Sequence, residues 1–381
     1  MTTDPRDWHL RKGQNLMAGD VLLPRLIVKQ SALEHNIERL AHYCREHGVS
    51  LAPHAKTTMA PGILSRQLAA GVWGFTVATV TQAQTLRRLG VERILIANEV
   101  VEQRAIEWIA AEMANSSGCE IFLLVDSLRG VSILDATLKS CRNETRLGVL
   151  IELGESGGRA GCRTDEEAIV VAAAVRNSRH LKLAGLEGFE ALLAQAAVRP
   201  FLRRVRGLAT RLIQEQYVDS ETEVLVSIGS SELIEPTVEE LSGWALGHPV
   251  RTLLRPGGYA TNSPIRGYRR PLEIWSAVLS RPESNIAIAS FGRRDVPSDE
   301  TLLTPVVAVS QGKGRDIAGR ATIRRLYDQH AVVELNDTEI EVGEFLNCSV
   351  VSPYRPAFAT WRTVPMVDED YRIVEVLDVL Y

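Results

Sequence analysis

Lys56 stands where an apolar run of the sequence ends, in the stretch PHAKT (53–57). A lysine at the end of a strand is often a plain surface residue. If burial takes the ammonium out of water, however, its pKa falls and the amine becomes nucleophilic enough to form a Schiff base. His54 lies two residues earlier, on the same face of an extended strand, where it can hold a hydrogen bond near the amine. Lys56 and His54 are therefore the candidate catalytic residues.

Arg159 is a second candidate, in the glycine-rich stretch GGRAG (157–161). Glycines let a backbone approach a ligand closely, and an arginine among them suits an anion or a phenolate oxygen. The alternative interpretation is a plain turn between a strand and a helix. The local pattern leaves both interpretations open.

Two later turns are candidates for binding a phosphate group. The stretches SIGSSE (227–232) and RPGGY (255–259) offer backbone amides, and the first adds the hydroxyls of Ser230 and Ser231. No G-x-x-x-x-G-K-S/T motif occurs, so a nucleoside triphosphate site is unsupported. A nucleophilic lysine, an arginine and a phosphate cradle are what pyridoxal 5′-phosphate (PLP) requires. This cofactor is an electron sink for carbanion chemistry at Cα of an amino acid.

The elements that must position these residues alternate between residues 21 and 250. Eight short apolar runs, the first at 22–28, precede amphipathic segments, and one such segment opens with Ser31 and Glu34 in the spacing of a capping box. Eight strand–helix repeats predict a (β/α)8 barrel of the TIM type. A doubly wound open sheet is the alternative, disfavoured because no G-x-G-x-x-G follows the first run.

In such a barrel, functional groups collect in the loops that follow the strands. That rule selects Lys56 after the second run, Thr79 after the third, and the glycine-rich stretches after the sixth and eighth. We therefore expect these groups at one mouth of the barrel.

The sequence changes character after residue 250. Strand-like runs crowd together there with few helical segments, which predicts a mostly β domain. We assign the PLP-binding barrel to residues 21–250 and the β domain to 251–381, with 1–20 expected to join the second.

Composition excludes several classes of function. With 43 basic and 47 acidic residues, the formal charge of 43 − 47 = −4 gives no support to nucleic-acid binding. Five cysteines without a CxxC pair predict reduced thiols and a cytoplasmic setting. No apolar run approaches the roughly 20 residues of a membrane span, and the polar first 20 residues lack the apolar core of a secretory signal. We expect a small-molecule partner and neither nucleic acid nor membrane.

Motifs along nearly the whole chain are recognisable as an ordered set. They are PHAKT, GFTVATVTQAQTLRRLGVERILIANEVV, LLVDS, IELGESGGRAGCR, LAGLEGFE, SIGSSE, RPGGYATN, SRPESNIAIASFGRRDV and WRTVPMVDEDYRIVEVL. The set resembles the D-threonine aldolase and D-serine dehydratase (deaminase) family of fold-type III PLP enzymes, which are relatives of alanine racemase. The last two motifs look most like the bacterial D-serine deaminase-like branch.

This resemblance implies roles for particular residues. It implies Lys56 as the Schiff-base lysine and as the base at Cα, with Arg159 near the cofactor's phenolate oxygen O3′. It places Ser230, Gly258 and Tyr259 near the cofactor phosphate. It also implies a barrel followed by a C-terminal β domain, usually in a homodimer.

The segment before the final strands departs from the family pattern. The dehydratases carry a His-x-Cys pair there and bind zinc, whereas this sequence has Pro353 and Arg355 at those positions. Neither side chain ligates zinc in the usual way, so metal dependence is predicted to be lost or altered. Tyr354, Arg355 and Asn262 are the candidate substrate-binding residues, and Phe189 stands where the family often has tyrosine.

Several functions remain open at this point. The leading hypothesis is a PLP-dependent lyase that deaminates a D-serine-like β-hydroxy amino acid to an α-keto acid and ammonia, by Cα deprotonation and β-elimination. The enzymatic alternatives are a metal-independent amino-acid racemase and a D-threonine-type retro-aldolase. The non-enzymatic alternative is a PLP-binding carrier or regulatory protein.

Overall fold

The computed structural model describes residues 10–141, 146–261, 267–296, 303–350 and 357–381. Within these ranges the chain forms 18 β-strands and eight α-helices. The strands are β1 (Arg25–Lys29), β2 (Ser50–Leu51), β3 (Phe75–Val77), β4 (Arg93–Glu99), β5 (Glu120–Val125), β6 (Leu147–Leu153), β7 (Leu181–Gly188), β8 (Val224–Ile228), β9 (Val250–Leu254), β10 (Leu272–Glu283), β11 (Ile286–Ala289), β12 (Thr304–Ser310), β13 (Lys313–Asp316), β14 (Ala321–Leu326), β15 (Ala331–Leu335), β16 (Phe345–Ser349), β17 (Thr363–Val367) and β18 (Ile373–Asp378). The helices are α1 (Gln30–Glu46), α2 (Pro61–Ala69), α3 (Val80–Arg88), α4 (Gln103–Asn115), α5 (Leu128–Ser140), α6 (Asp165–Asn177), α7 (Gln195–Gln214) and α8 (Ile234–Leu241).

Strands β2 to β9 form one parallel sheet, in the order β2-β9-β8-β7-β6-β5-β4-β3. Its two outer strands meet, because the amide of Thr76 in β3 donates to the carbonyl of Pro53, just after β2, at 2.9 Å. The sheet therefore closes on itself, and a helix follows each of β3 to β8. The predicted fold class, an α/β barrel with a mostly β part behind it in the sequence, is confirmed.

One strand of the predicted barrel was assigned wrongly. The run at 22–28 does not enter the barrel, because its strand β1 pairs antiparallel with β10 and parallel with β17 in a separate sheet. The eighth barrel strand is β9 instead. A short apolar run shows that a strand will be buried but not which neighbours will pair with it.

Side chains from alternate strand positions fill the inside of the barrel. They form one apolar cluster of Ala52, Leu95, Phe122, Leu124, Leu150, Ala184, Leu225 and Leu253. Full burial of each leucine contributes about 1.5–3 kcal/mol relative to exposure. This packed layer holds the strand ends in fixed positions.

The chain divides into two compact units. One comprises Ala41–Lys56 and Gly71–Gly257 and contains the barrel, and the other comprises Met1–Leu40, Thr57–Ala70 and Gly258–Tyr381. The second unit is built on a ten-stranded sheet whose main path is β13-β12-β16-β10-β1-β17-β18, with β11, β14 and β15 joined through β10. Among the described residues, no helix combines the length and the apolar character needed to cross a membrane.

The predicted capping box at Ser31 is wrong. Helix α1 already begins at Gln30, and the Ser31 hydroxyl contacts the Glu369 carboxylate instead of capping the helix. A capping box does occur at α6, where Thr164 Oγ1 accepts from the amide of Glu167 at 3.1 Å. The same Thr-x-x-Glu spacing was present in the sequence at that position.

Candidate active site

Polar groups stand at the carboxyl ends of the barrel strands. Parallel strands end at the same edge, so these groups share one mouth of the barrel. The following residues lie at the end of a barrel strand or shortly after it: Lys56 (β2), Glu99 (β4), Asp126 (β5), Glu152 (β6), Glu187 (β7), Ser230 (β8) and Arg255 (β9).

Lys56 lies in a short 3₁₀ turn, Ala55–Thr57, rather than in a strand. The expected strand alternation of His54 and Lys56 is therefore wrong, since β2 ends before either residue. The turn still brings the two side chains close enough to interact electrostatically. Lys56 as a residue is exposed, yet partial burial of its ammonium, with the charges of Arg159 and Arg255, lowers its pKa.

His54 is fixed by its backbone at the seam of the barrel. It bridges to Thr76 of β3, and its amide donates to the carbonyl of Pro256 at 3.3 Å. Burial, with the positive charges of Lys56 and Arg255, lowers its pKa well below 6.5. The imidazole is therefore neutral at physiological pH. Its buried Nδ1 has no hydrogen-bond partner within the described chain.

The loop that presents Arg159 is held together by Arg163. Gly161 in this loop has φ of +100°, and a Cβ there would lie 2.5 Å from the amide of Gly154, so glycine is required. The guanidinium of Arg163 donates at 2.6 to 3.2 Å to four loop carbonyls, those of Gly158, Arg159, Ala160 and Gly161.

The Arg159 side chain is mostly exposed, at 59%. Its Nη2 lies 3.7 Å from Oε1 of Glu152, and its Cζ lies 5.2 Å from the ring centroid of Phe189. The same loop, with Phe189, Leu192 and Leu193, lines a cavity of about 520 Å³. That volume is within the range of small-molecule sites.

Arg255 and Glu187 form a buried ion pair that the sequence analysis missed. Their side chains are only 4% and 1% exposed, and burial lowers the pKa of Arg255. Arg255 Nη2 also donates to the carbonyl of Gly188 at 3.1 Å. A Cβ at Gly229 would lie 2.9 Å from Arg255 Cζ, so this glycine makes room for the guanidinium. The sequence did carry a signal for this pair, namely a charged residue at the end of each of two apolar strands.

Glu99 and Glu152 form a second pair that was missed. Burial, followed by the hydrogen bond and the charge of Glu152, raises the pKa of Glu99 to about 8. Asp126 adds negative charge nearby. Glu99 is therefore protonated at neutral pH and can donate a hydrogen bond to Glu152.

The turn after β8 is folded around Ser230. Its Oγ accepts from the amides of Glu232 at 3.2 Å and Leu233 at 3.0 Å, just before α8 begins. Ser231 beside it is half-buried. The turn is thus preformed, and a contact of either serine with a cofactor phosphate stays a prediction.

Three further predicted cofactor residues have identifiable surroundings. Thr79 Oγ1 accepts from the amide of Gln82 at 3.2 Å and caps α3. In the other unit, Tyr259 is fully buried and its hydroxyl accepts from Gln67 Nε2 at 2.9 Å, while Gly258 is half-buried. Their contact with a cofactor also stays a prediction.

The predicted substrate and metal positions are not all described. Asn262, Pro353, Tyr354 and Arg355 lie outside the described residues. Inside them, no group of three or more His, Cys, Asp or Glu side chains is placed to hold a metal ion. Cys348 in β16 is fully buried, and burial raises the pKa of its thiol.

The residues at the barrel mouth fit PLP in charge and in chemistry. Lys56 supplies an amine of lowered pKa, which suits covalent attachment to an aldehyde. Arg159, whose side chain is largely exposed, supplies positive charge for an anionic cofactor, whereas the charge of Arg255 is balanced by Glu187. His54 adds a buried ring nitrogen with no described partner.

Two family descriptions match this chain. The alanine racemase N-terminal domain matches residues 28–259, and the putative serine dehydratase domain matches residues 271–367. The first match alone covers more than half of the chain. Together they include the barrel and most strands of the second unit.

Individual relatives are more distant. A 3-hydroxy-D-aspartate aldolase of Paracoccus denitrificans is 26% identical over 193 residues, which are 50% of this chain and 48% of that protein. The D-threo-3-hydroxyaspartate dehydratase of Delftia sp. (strain HT23) is 28% identical over 149 residues, 39% of this chain and 38% of that protein. The chain thus spans less than half the length of these two curated relatives.

A solved structure shows that the fold is shared. The crystal structure of D-threonine aldolase from Filomicrobium marinum is 22% identical, and the alignment covers 97% of this chain and 98% of that one with a TM-score of 0.80. At this level of identity the likeness concerns the fold alone.

Proposed function

This chain belongs to the alanine racemase N-terminal-domain family of fold-type III PLP enzymes, and we propose that it is a PLP-dependent lyase acting on D-amino acids. One observation carries the proposal. Lys56 places an amine of lowered pKa after β2, at a barrel mouth that also holds two arginines. A lysine on an open surface would keep its usual pKa and would be protonated at neutral pH.

The residues of this mouth have distinct proposed tasks. When bound, PLP supplies an electron sink for negative charge at Cα of the substrate. Lys56 attaches the cofactor covalently and then removes the Cα proton. Arg159 would bind near the phenolate oxygen, and the Ser230 turn would bind the phosphate. The family resemblance implies the same phosphate role for Gly258 and Tyr259.

The proposed reaction is deamination of a D-serine-like β-hydroxy amino acid. Lys56 takes the proton from Cα, and the β-hydroxyl departs with its bonding electrons and one proton as water. Addition of water to the remaining product then releases an α-keto acid and ammonia. Glu99, which is protonated at neutral pH, supplies an acid at this mouth for the departing hydroxyl.

A second reaction, retro-aldol cleavage, has equal support from the relatives, one of which is an aldolase. It breaks the Cα–Cβ bond and yields glycine and an aldehyde. The reaction needs a base for the β-hydroxyl proton. His54, neutral because its pKa is well below 6.5, is such a base beside Lys56.

A substrate panel separates these reactions. PLP-loaded protein is incubated with D- and L-serine, threonine and 3-hydroxyaspartate, with and without a chelator or added divalent metal. We expect keto acid and ammonia from a D-isomer. Glycine with an aldehyde would establish the aldolase instead, and loss of optical activity alone would establish a racemase.

Two variants control the panel. Lys56→Ala should abolish turnover, whereas Lys139→Ala, at an exposed lysine of α5, should not change it. Bound PLP without turnover of any substrate would contradict the lyase proposal and favour a carrier or regulatory protein.

A further inference from the structure

Glu190 is a buried carboxyl group that the proposed reaction does not use. It opens the 3₁₀ turn Glu190–Leu192, directly after Phe189, and only 1% of it is exposed. Neither of its carboxylate oxygens makes a well-aligned hydrogen bond with a described residue, although the Ser230 hydroxyl and the amides of Gly229 and Ser230 approach the carboxyl. A buried carboxyl whose hydrogen bonds are poorly aligned costs free energy, and a ligand that hydrogen-bonds to it would recover part of that cost.

Glu190 faces the turn predicted to bind phosphate. The β7–β8 register pairs Gly188 with Ile228, so the residues that follow each strand run side by side. The amides of Gly229 and Ser230, with the Ser230 hydroxyl, lie near the carboxyl and partly offset the effect of its burial. Burial still raises the pKa of Glu190 to about 7.

The charged groups on the surrounding elements are engaged elsewhere. On β7, Glu187 contacts Arg255, which follows β9 and also binds the carbonyl of Gly188. Arg159 lies over the ring of Phe189 and toward Glu152. Glu232, in the turn after β8, is exposed. No described cation therefore forms an ion pair with Glu190.

We infer that Glu190 is part of the site for the cofactor phosphate and meets that phosphate as the neutral acid, so that the protein takes up one proton when PLP binds. The inference rests on the proposed function, because it requires PLP at this mouth. Two buried anions that share one set of amides repel each other, whereas a protonated carboxyl donates its O–H to a phosphate oxygen. Glu190 is thus a binding residue for the cofactor and sets the pH range in which it is retained.

The pH dependence of PLP binding tests this inference. The dissociation constant is measured by absorbance from pH 6 to 9 for the wild type and for Glu190→Gln, which is neutral throughout. Above pH 7 the wild-type constant should rise about tenfold per pH unit relative to that of the variant, reaching about hundredfold at pH 9. At pH 6 the two constants should agree. Titration of the phosphate and of Lys56 affects both proteins alike and cancels in this ratio.

Glu235→Gln is the matched control, since it removes an exposed carboxyl in the first turn of α8, outside the Ser230 turn, and it should follow the wild type. Proton uptake on PLP binding is measured by calorimetry in buffers of different ionisation enthalpy, for the wild type and for Glu190→Gln. The variant reports the contribution of the phosphate and of Lys56. Once that contribution is subtracted, we expect the wild type to take up close to one more proton at pH 8 than at pH 6. Parallel pH profiles for the wild type and Glu190→Gln, or equal uptake at both pH values, would overturn the inference. Absence of any PLP binding by the wild type would overturn the proposed function instead.

Discussion

The two units of the chain place their buried charges differently. In the second unit, the buried charged side chains among the described residues are Arg25, which lies under the ring of Trp361, and Asp295, which accepts from the amide of Gly292. In the barrel unit they all stand at the carboxyl ends of strands β6 to β9, and they are Glu152, Glu187, Glu190 and Arg255.

This difference identifies which part of the molecule is organised for chemistry. Burying a charge costs free energy unless it is paired, so a fold that gathers four such groups at one edge has not been arranged for stability alone. The ten-stranded sheet, in contrast, contains an apolar cluster that includes Ile27, Trp275 and Ile373. Substitutions at the barrel mouth should therefore change the free energy of unfolding and the affinity for a ligand to different extents.

The largest effect on stability is expected from Arg255→Leu. This change leaves the Glu187 carboxylate buried without its partner and should lower the free energy of unfolding by about 3–5 kcal/mol. Urea denaturation at pH 7 measures it. The double variant Arg255→Leu with Glu187→Leu should recover most of the loss. Equal losses in the single and double variants would show that packing, rather than charge, is responsible.

In the second unit, Arg315→Gln is a control for this comparison. Arg315 pairs with Glu344 at 2.6 Å, but its side chain is 40% exposed. Its loss should cost no more than about 1 kcal/mol. A cost similar to that of Arg255→Leu would remove the contrast between the two units.

A smaller, pH-dependent effect is expected from Glu99→Gln. The pKa of Glu99 is about 8 in the folded protein and 4.5 ordinarily, so the folded state keeps a proton that the unfolded chain releases. The wild type therefore loses stability as the pH rises from 4.5 to 8, whereas the variant does not. The full shift would correspond to roughly 5 kcal/mol, but solvent screening of this partly exposed group reduces it, so at pH 8.5 the variant should be more stable by about 1–2 kcal/mol. At pH 4 the two should be equal. Chemical denaturation across this pH range measures the difference, and parallel curves would contradict the raised pKa of Glu99.

The smallest effect on stability is expected from Arg159→Gln. Its long contact with Glu152 and its exposure limit the change to less than about 1 kcal/mol. PLP affinity should nevertheless fall about tenfold, because a charge-assisted contact is lost. Urea denaturation and absorbance titration give the two values, with Arg88→Gln as an exposed control. A large loss of stability, or an unchanged affinity, would show that Arg159 belongs to the scaffold.

The barrel and the positions of Lys56 and Arg159 after its strands could be predicted, because apolar runs and amphipathic segments alternate regularly along the sequence. The partner of β1 could not be predicted in this way, since β10 lies far along the chain and its pairing leaves no local signal. His54 and Lys56 do meet, but through a 3₁₀ turn that strand alternation does not describe.

Both missed pairs have the same physical origin. Glu99 and Glu152 lie on β4 and β6, and Glu187 and Arg255 lie on or after β7 and β9, so each pair skips one strand. In a closed barrel, alternate strands direct their side chains into the same layer, and such contacts depend on closure. Sequence periodicity shows which face of a strand a side chain lies on. It does not show which other strand contributes side chains to the same layer.

The attachment site of the cofactor tests the central claim most directly. The protein is loaded with PLP, reduced with borohydride, digested and mapped by mass spectrometry. We predict one modified lysine, Lys56, with the label and the visible absorbance absent from Lys56→Ala and retained in Lys139→Ala. A label on another lysine, or no label at all, would contradict the assignment of Lys56 as the cofactor-binding residue.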